Sequence, residues 1–134
     1  MPIGFSKDQQ LRHYNERKQA KSAKQKGIQA EKSVQAEFQS TSKKPVRRNH
    51  QGKHGGGISN SDVSMHGWSL EVKNTERLSI PEWLRTLKKE TPVTNKPALV
   101  FTFEEEQWIA IKLKDRLSFA ADQVEAAGGE VTFH

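Results

Sequence analysis

Asp62, Glu71 and Lys73 are the side chains of this chain whose types and spacing fit a chemical task. Glu71 and Lys73 stand two apart in the alternating run Trp68-Ser69-Leu70-Glu71-Val72-Lys73. On a strand they share one face, with Cα atoms about 6.5–7 Å apart. Asp62 lies nine residues ahead of Glu71, at the start of a preceding strand-like segment, and can approach it across a sheet. Two carboxylates can hold a hard cation such as Mg²⁺, with the Val72 backbone carbonyl as a further ligand. An ammonium beside them can reach an attacking water or a phosphate. The chemistry within reach of this set is hydrolysis of a phosphodiester: phosphate charge neutralised, a water made nucleophilic, the leaving oxygen stabilised. The competing reading is an edge strand with a solvated, salt-bridging face. Glu16-Arg17-Lys18 has the same E-x-K spacing in a charge-rich stretch where it carries no chemistry.

Glu31 is a second clue. On a helix it falls among Ile28, Val34 and Phe38, and a carboxylate on an apolar side is costly unless paired or near a metal. It either adds a ligand to the Asp62/Glu71 site or pairs with Lys32 or a strand arginine.

The elements that must position these groups follow from patterning. Lys7 to Ala36 lacks proline and favours helix; Gly27 interrupts it, so the packed helix is expected to begin there. Pro45–Asn49 reads as a short strand carrying Arg47 and Arg48, and Gln51–Ser61, with four glycines, as a loop. Asp62–Met65 and Trp68–Asn74 read as strands joined by a His66-Gly67 turn. Ser79-Ile80-Pro81-Glu82 has the form of a capping box, opening a helix expected to bury Ile80, Trp83, Leu84 and Leu87. After a loop bounded by Pro92 and Pro97 come strands at Ala98–Phe103 and Gln107–Lys112 around a Glu104-Glu105 turn. Leu113, Leu117, Ala120 and Val124 give the stripe of a last helix closed by Gly128-Gly129. One mixed sheet flanked by helices is the packing this order predicts, an α/β (α+β) fold.

Composition sets the partner class. Twenty-two Lys and Arg against sixteen Asp and Glu give +6, suited to polyanions. The segment Arg47–Gly57 is the expected DNA contact, with Arg47, Arg48, Lys53 and His54 on phosphates and glycines allowing close approach; Lys26 adds to it. The bland alternative for this segment is a solvated loop. His50 and His54 lack a third ligand for zinc, and the absence of cysteine excludes disulfides and thiolate sites. Trp108 belongs either to the core or to a dimer face. No membrane span, secretory signal or dinucleotide or nucleotide-binding fingerprint is seen, so neither membrane attachment nor an organic cofactor is expected.

Lys26-Gly27-x-x-x-Glu31, the glycine-rich basic loop, Asp62, Leu70-Glu71-Val72-Lys73 and the Trp83 helix resemble the PD-(D/E)XK nuclease superfamily, over roughly residues 26 to 111. The small Holliday-junction-resolvase-like proteins, including those of bacteriophages, are the nearest in pattern. The resemblance implies a restriction-endonuclease-like core of αβββαβ order. It also implies Mg²⁺-dependent endonucleolytic cleavage of DNA, with Mn²⁺ able to substitute, favouring branched or four-way junctions, by a homodimer in the cytoplasm of a bacterial or phage-infected cell. Asp62 and Glu71 become the metal pair, Lys73 the catalytic lysine and Glu31 the acid of the first helix. Ser61 stands where the name-giving proline would be, and the Ser79–Glu90 helix lacks the glutamine many members carry. Nicking, flap or restriction-like cleavage, or non-catalytic DNA binding on the same scaffold, are the alternatives. The domain is expected over 26–127, after a basic arm at 1–25 and before a tail at 128–134.

Overall fold

A computed structural model describes residues 7–49 and 61–132, with side chains from Ser22 onward. The elements are α1 (Lys7–Thr41), β1 (Val46–Arg48), β2 (Val63–Met65), β3 (Trp68–Lys73), α2 (Ile80–Glu90), β4 (Lys96–Phe103), β5 (Glu106–Ile111), a single 3₁₀ turn (Leu113–Asp115) and α3 (Arg116–Ala126). The strands form one sheet in the order β1-β2-β3-β4-β5. Among the described residues only β3 and β4 run parallel, joined by the α2 crossover; the other neighbours are antiparallel, so the fold is α+β with a mixed sheet.

Alternation in β3 gives the sheet two different faces. Trp68, Leu70 and Val72 are buried, in register with Ala98 and Val100 of β4, and pack with Ala30 and Val34 of α1. Full burial of a large apolar side chain contributes about 1.5–3 kcal/mol, so this layer carries much of the stability. Phe119 of α3 stands edge-on to Trp68 and Phe38, at centroid distances of 5.1 and 6.3 Å. Ser69, Glu71 and Lys73 take the opposite face, on the side of α2, whose Leu87 is buried.

Several local expectations are corrected. Gly27 does not break α1, because one glycine costs only about 1 kcal/mol against a long run of good helix formers; from Ser22 onward, the first residues that are not exposed are Gly27 and Ile28. Ser79 caps α2 without a side-chain hydrogen bond, since Pro81 removes one of the N–H groups a cap would bind. Leu84 is exposed, and Ile80 and Trp83 are half-buried. Pro97 lies inside β4, which begins at Lys96.

The stripe expected to bury α3 is outward: Leu117, Ala120 and Val124 are exposed, and Leu113 precedes the helix in the 3₁₀ turn. The inward face carries Phe119, Ala121, Asp122 and Ala126. It wins because Phe119 packs on Trp68 while Asp122 Oδ2 accepts the Trp68 indole N–H at 2.8 Å, a donor that burial would otherwise orphan. Gly128, at φ +93°, ends α3 as expected, with its N–H donating to the Glu125 carbonyl at 2.9 Å.

Candidate active site

Asp62 is placed by the backbone on both sides. The β2–β3 ladder ends at Val63 paired with Leu70, and Asp62 is the residue just before it. The Asp62 N–H donates to the Leu70 carbonyl at 3.1 Å, and its own carbonyl accepts the Asn49 N–H at 2.8 Å. Asp62 is 2 % exposed, and its Oδ2 accepts the Val72 N–H at 2.8 Å. Val72 thus enters the site through its N–H, in addition to the expectation placed on its carbonyl. Asn49 also ties the preceding residue, donating from Nδ2 to the Ser61 carbonyl at 2.7 Å.

Glu71 and Lys73 share their face as alternation requires, with Nζ and Oε1 3.2 Å apart. Lys73 Nζ also lies 5.9 Å from the Trp83 ring centroid, so α2 helps position the ammonium. Burial pushes the Glu71 carboxyl up to about 7, and the Asp62 charge adds to that push while Lys73 opposes it. Glu90, in the last turn of α2, contributes a smaller push in the same direction. With Ser61, Ser69, Glu71, Leu87 and Thr91 it lines a small cleft beside the strand. Sequence reasoning missed Glu90; the available signal was an acid at a helix C-terminus, where the macrodipole disfavours negative charge.

Glu31 approaches from α1. Its Oε1 accepts a hydrogen bond from Arg48 Nε at 3.2 Å, so the pairing with a strand arginine is the arrangement present. Burial and then the Asp62 charge hold its carboxyl above the usual range, against the opposing Arg48 guanidinium. Asp62 is therefore the carboxylate that both glutamates feel.

Among the described residues, no three Asp, Glu, His or Cys side chains gather tightly enough to form a metal cage unaided. The donor chemistry nevertheless suits one hard cation that keeps several waters: two neighbouring carboxylates, one of which is raised by burial and then by the charge of the other. Asp62 and Glu71 fit such an ion, while Glu31 is directed to Arg48.

Of the expected phosphate contacts, Arg47 is exposed on β1, Lys26 is exposed on α1, and Arg48 is engaged with Glu31. Lys53 and His54 lie outside the described residues. Trp108 is half-exposed on β5, an edge of the sheet. Among the described residues, no helix is long and apolar enough to cross a membrane. The chain matches no family model, and neither a curated protein nor a solved structure shows significant similarity to it.

Proposed function

We propose that the chain is a metal-dependent endodeoxyribonuclease of the PD-(D/E)XK type, with a restriction-endonuclease-like core, cutting branched DNA as a homodimer. The observation that carries this reading is the buried Asp62 carboxylate held on the Val72 N–H, its charge felt by Glu71, with Lys73 3.2 Å from the Glu71 carboxylate. Asp62 and Glu71 would hold Mg²⁺ or Mn²⁺, which supplies charge neutralisation at the phosphate and lowers the pKa of bound water. Lys73 orients the attacking water or faces the charge that builds on the phosphate oxygens. Glu31, through its charge on Asp62, sets the electrostatics of the pair, and Arg47 and Lys26 meet the DNA backbone. Exposed Phe103 and Trp108, which share one face of the β4–β5 pair at the edge of the sheet, support self-association.

The test is nicking of a four-way junction alongside nicked and linear duplexes, with and without Mg²⁺. Cleavage should require the metal and vanish in Glu71→Ala and Lys73→Ala while junction binding persists. Unchanged cleavage in both variants would place the reaction elsewhere. A non-catalytic DNA-binding protein is the second reading, favoured by the ion pairs that already occupy both Glu31 and Glu71. Calorimetric titration with Mn²⁺ separates the two: the enzyme shows a saturable site lost in Asp62→Asn, whereas the binding protein shows none.

A further inference from the structure

α1 is far longer than the sheet it packs on. Its 35 residues rise about 52 Å at 1.5 Å each, yet among the side chains described, from Ser22 onward, the inward ones begin at Gly27, Ile28 and Ala30. Residues 22–26 are all exposed, so the helix has left the core before Lys26. Positions 7–26, about 30 Å of helix, carry seven Lys or Arg against two acids. A polar helix without a packing face needs another source of stability. Toward the core this one lacks it: 17/21, 18/21 and 21/24 are neighbouring pairs at i,i+4 or i,i+3 and all are like-charged, whereas the opposite-charged pairs 8/12 and 12/16 lie nearer its start. A polyanion laid along it would turn that repulsion into attraction.

The direction of the helix adds the second observation. Positions 17, 21, 24, 28 and 31 alternate four- and three-residue steps, which keeps them along one side of an α-helix. Arg17, Lys21 and Lys24 therefore occupy the line that ends at Glu31, the residue bonded to Arg48 and held in the field of Asp62. Lys24 is one heptad, about 10 Å, from Glu31, and Arg17 is about 21 Å away. At about 3.4 Å per phosphate along one strand, an arm of that length spans several base pairs.

We infer that the projecting half of α1 is a duplex-binding arm, which holds the phosphate backbone of DNA flanking the Asp62/Glu71/Lys73 site. This rests on the nuclease reading for its choice of DNA. A membrane surface fits the arm poorly, since Leu11 and Tyr14 are its only large apolar residues and an interfacial helix needs an apolar face. Contacts of this kind position the substrate without reading its sequence, and leave recognition of branching to the site itself.

The experiment uses the full chain in EDTA, so no cleavage enters the readout. Binding of a 30-base-pair duplex is followed by fluorescence anisotropy across a salt series, for the wild type and for Arg17→Gln/Lys21→Gln/Lys24→Gln. The slope of log affinity against log salt should fall by about 2–3 in the variant, at roughly 0.9 for each phosphate that is no longer neutralised. Lys112→Gln/Lys114→Gln/Arg116→Gln, with the same change in charge, should keep the wild-type slope. Hydrogen exchange should show amides 10–24 gaining protection on duplex binding. Equal slopes in the arm variant and the wild type, unchanged exchange, or tighter binding to phosphatidylserine vesicles than to the duplex would each overturn the arm. Failure of the nuclease reading is seen separately, as absence of Mg²⁺-dependent nicking by a wild type whose salt slope still depends on the arm.

Discussion

The Asp62 carboxylate accepts the backbone N–H of Val72 at 2.8 Å, which fixes a buried acid to the next strand beside Glu71. The bond satisfies the N–H and aims the carboxylate at once. Asp62→Asn keeps an acceptor for Val72 and relieves the repulsion felt by Glu71 and Glu31, so urea denaturation without metal should show little loss. Asp62→Ala leaves a buried N–H unsatisfied and should cost about 1–3 kcal/mol. Both variants should lose Mn²⁺ binding by calorimetry. Retention in Asp62→Asn would remove Asp62 from the ligand set.

Glu71 gives the pH dependence. Its proton is held more tightly in the folded chain, where its value is about 7, than in the unfolded chain near 4.5. The associated stability is fully present below the unfolded value and is lost as pH rises through about 7. Thermal unfolding in EDTA should therefore show a contribution that declines between roughly pH 4.5 and 7. Glu71→Gln, which has no proton to lose, should flatten that decline. A parallel decline in the variant would assign the effect to another group.

The β4–β5 turn is strained in its backbone. Glu104 and Glu105 stand at φ 51° and 68°, the left-handed conformation that a two-residue hairpin of this type assigns to Asn-Gly. Glu104→Asn/Glu105→Gly should stabilise the chain by about 1–2 kcal/mol, read as a higher denaturation midpoint, with cleavage unchanged. An unchanged or lower midpoint would mean the glutamates hold contacts that offset the strain.

Trp108 tests self-association. It is 51 % exposed, next to Ile109 on an edge strand whose outer hydrogen-bonding side has no partner strand among the described residues. Sedimentation should show a dimer for the wild type and a monomer for Trp108→Glu, with the far-ultraviolet circular dichroism retained. A dimer in both would move the interface elsewhere.

Patterning made the sheet legible because a period of two is stiff. Once Trp68, Leu70 and Val72 are committed inward, Glu71 and Lys73 have one face left, and the order of elements follows from turns such as His66-Gly67. Helix faces were less legible. In α3 two apolar sides compete at helical spacing, and the choice is made by Trp68, a residue about fifty positions away whose indole needs Asp122. The same limit applies at the site. Alternation can pair Glu71 with Lys73, but only tertiary packing sends Arg48 to Glu31 and brings Glu90 to the cleft from the end of α2.

Asn49 is bonded directly to Ser61 and Asp62, with its N–H on the Asp62 carbonyl and its amide on the Ser61 carbonyl. The acid of the site is thus also the exit post of the glycine-rich stretch. The backbone that carries Asp62 is shared with the end of β1, so a substitution at Asn49 reaches the acid without touching its carboxylate.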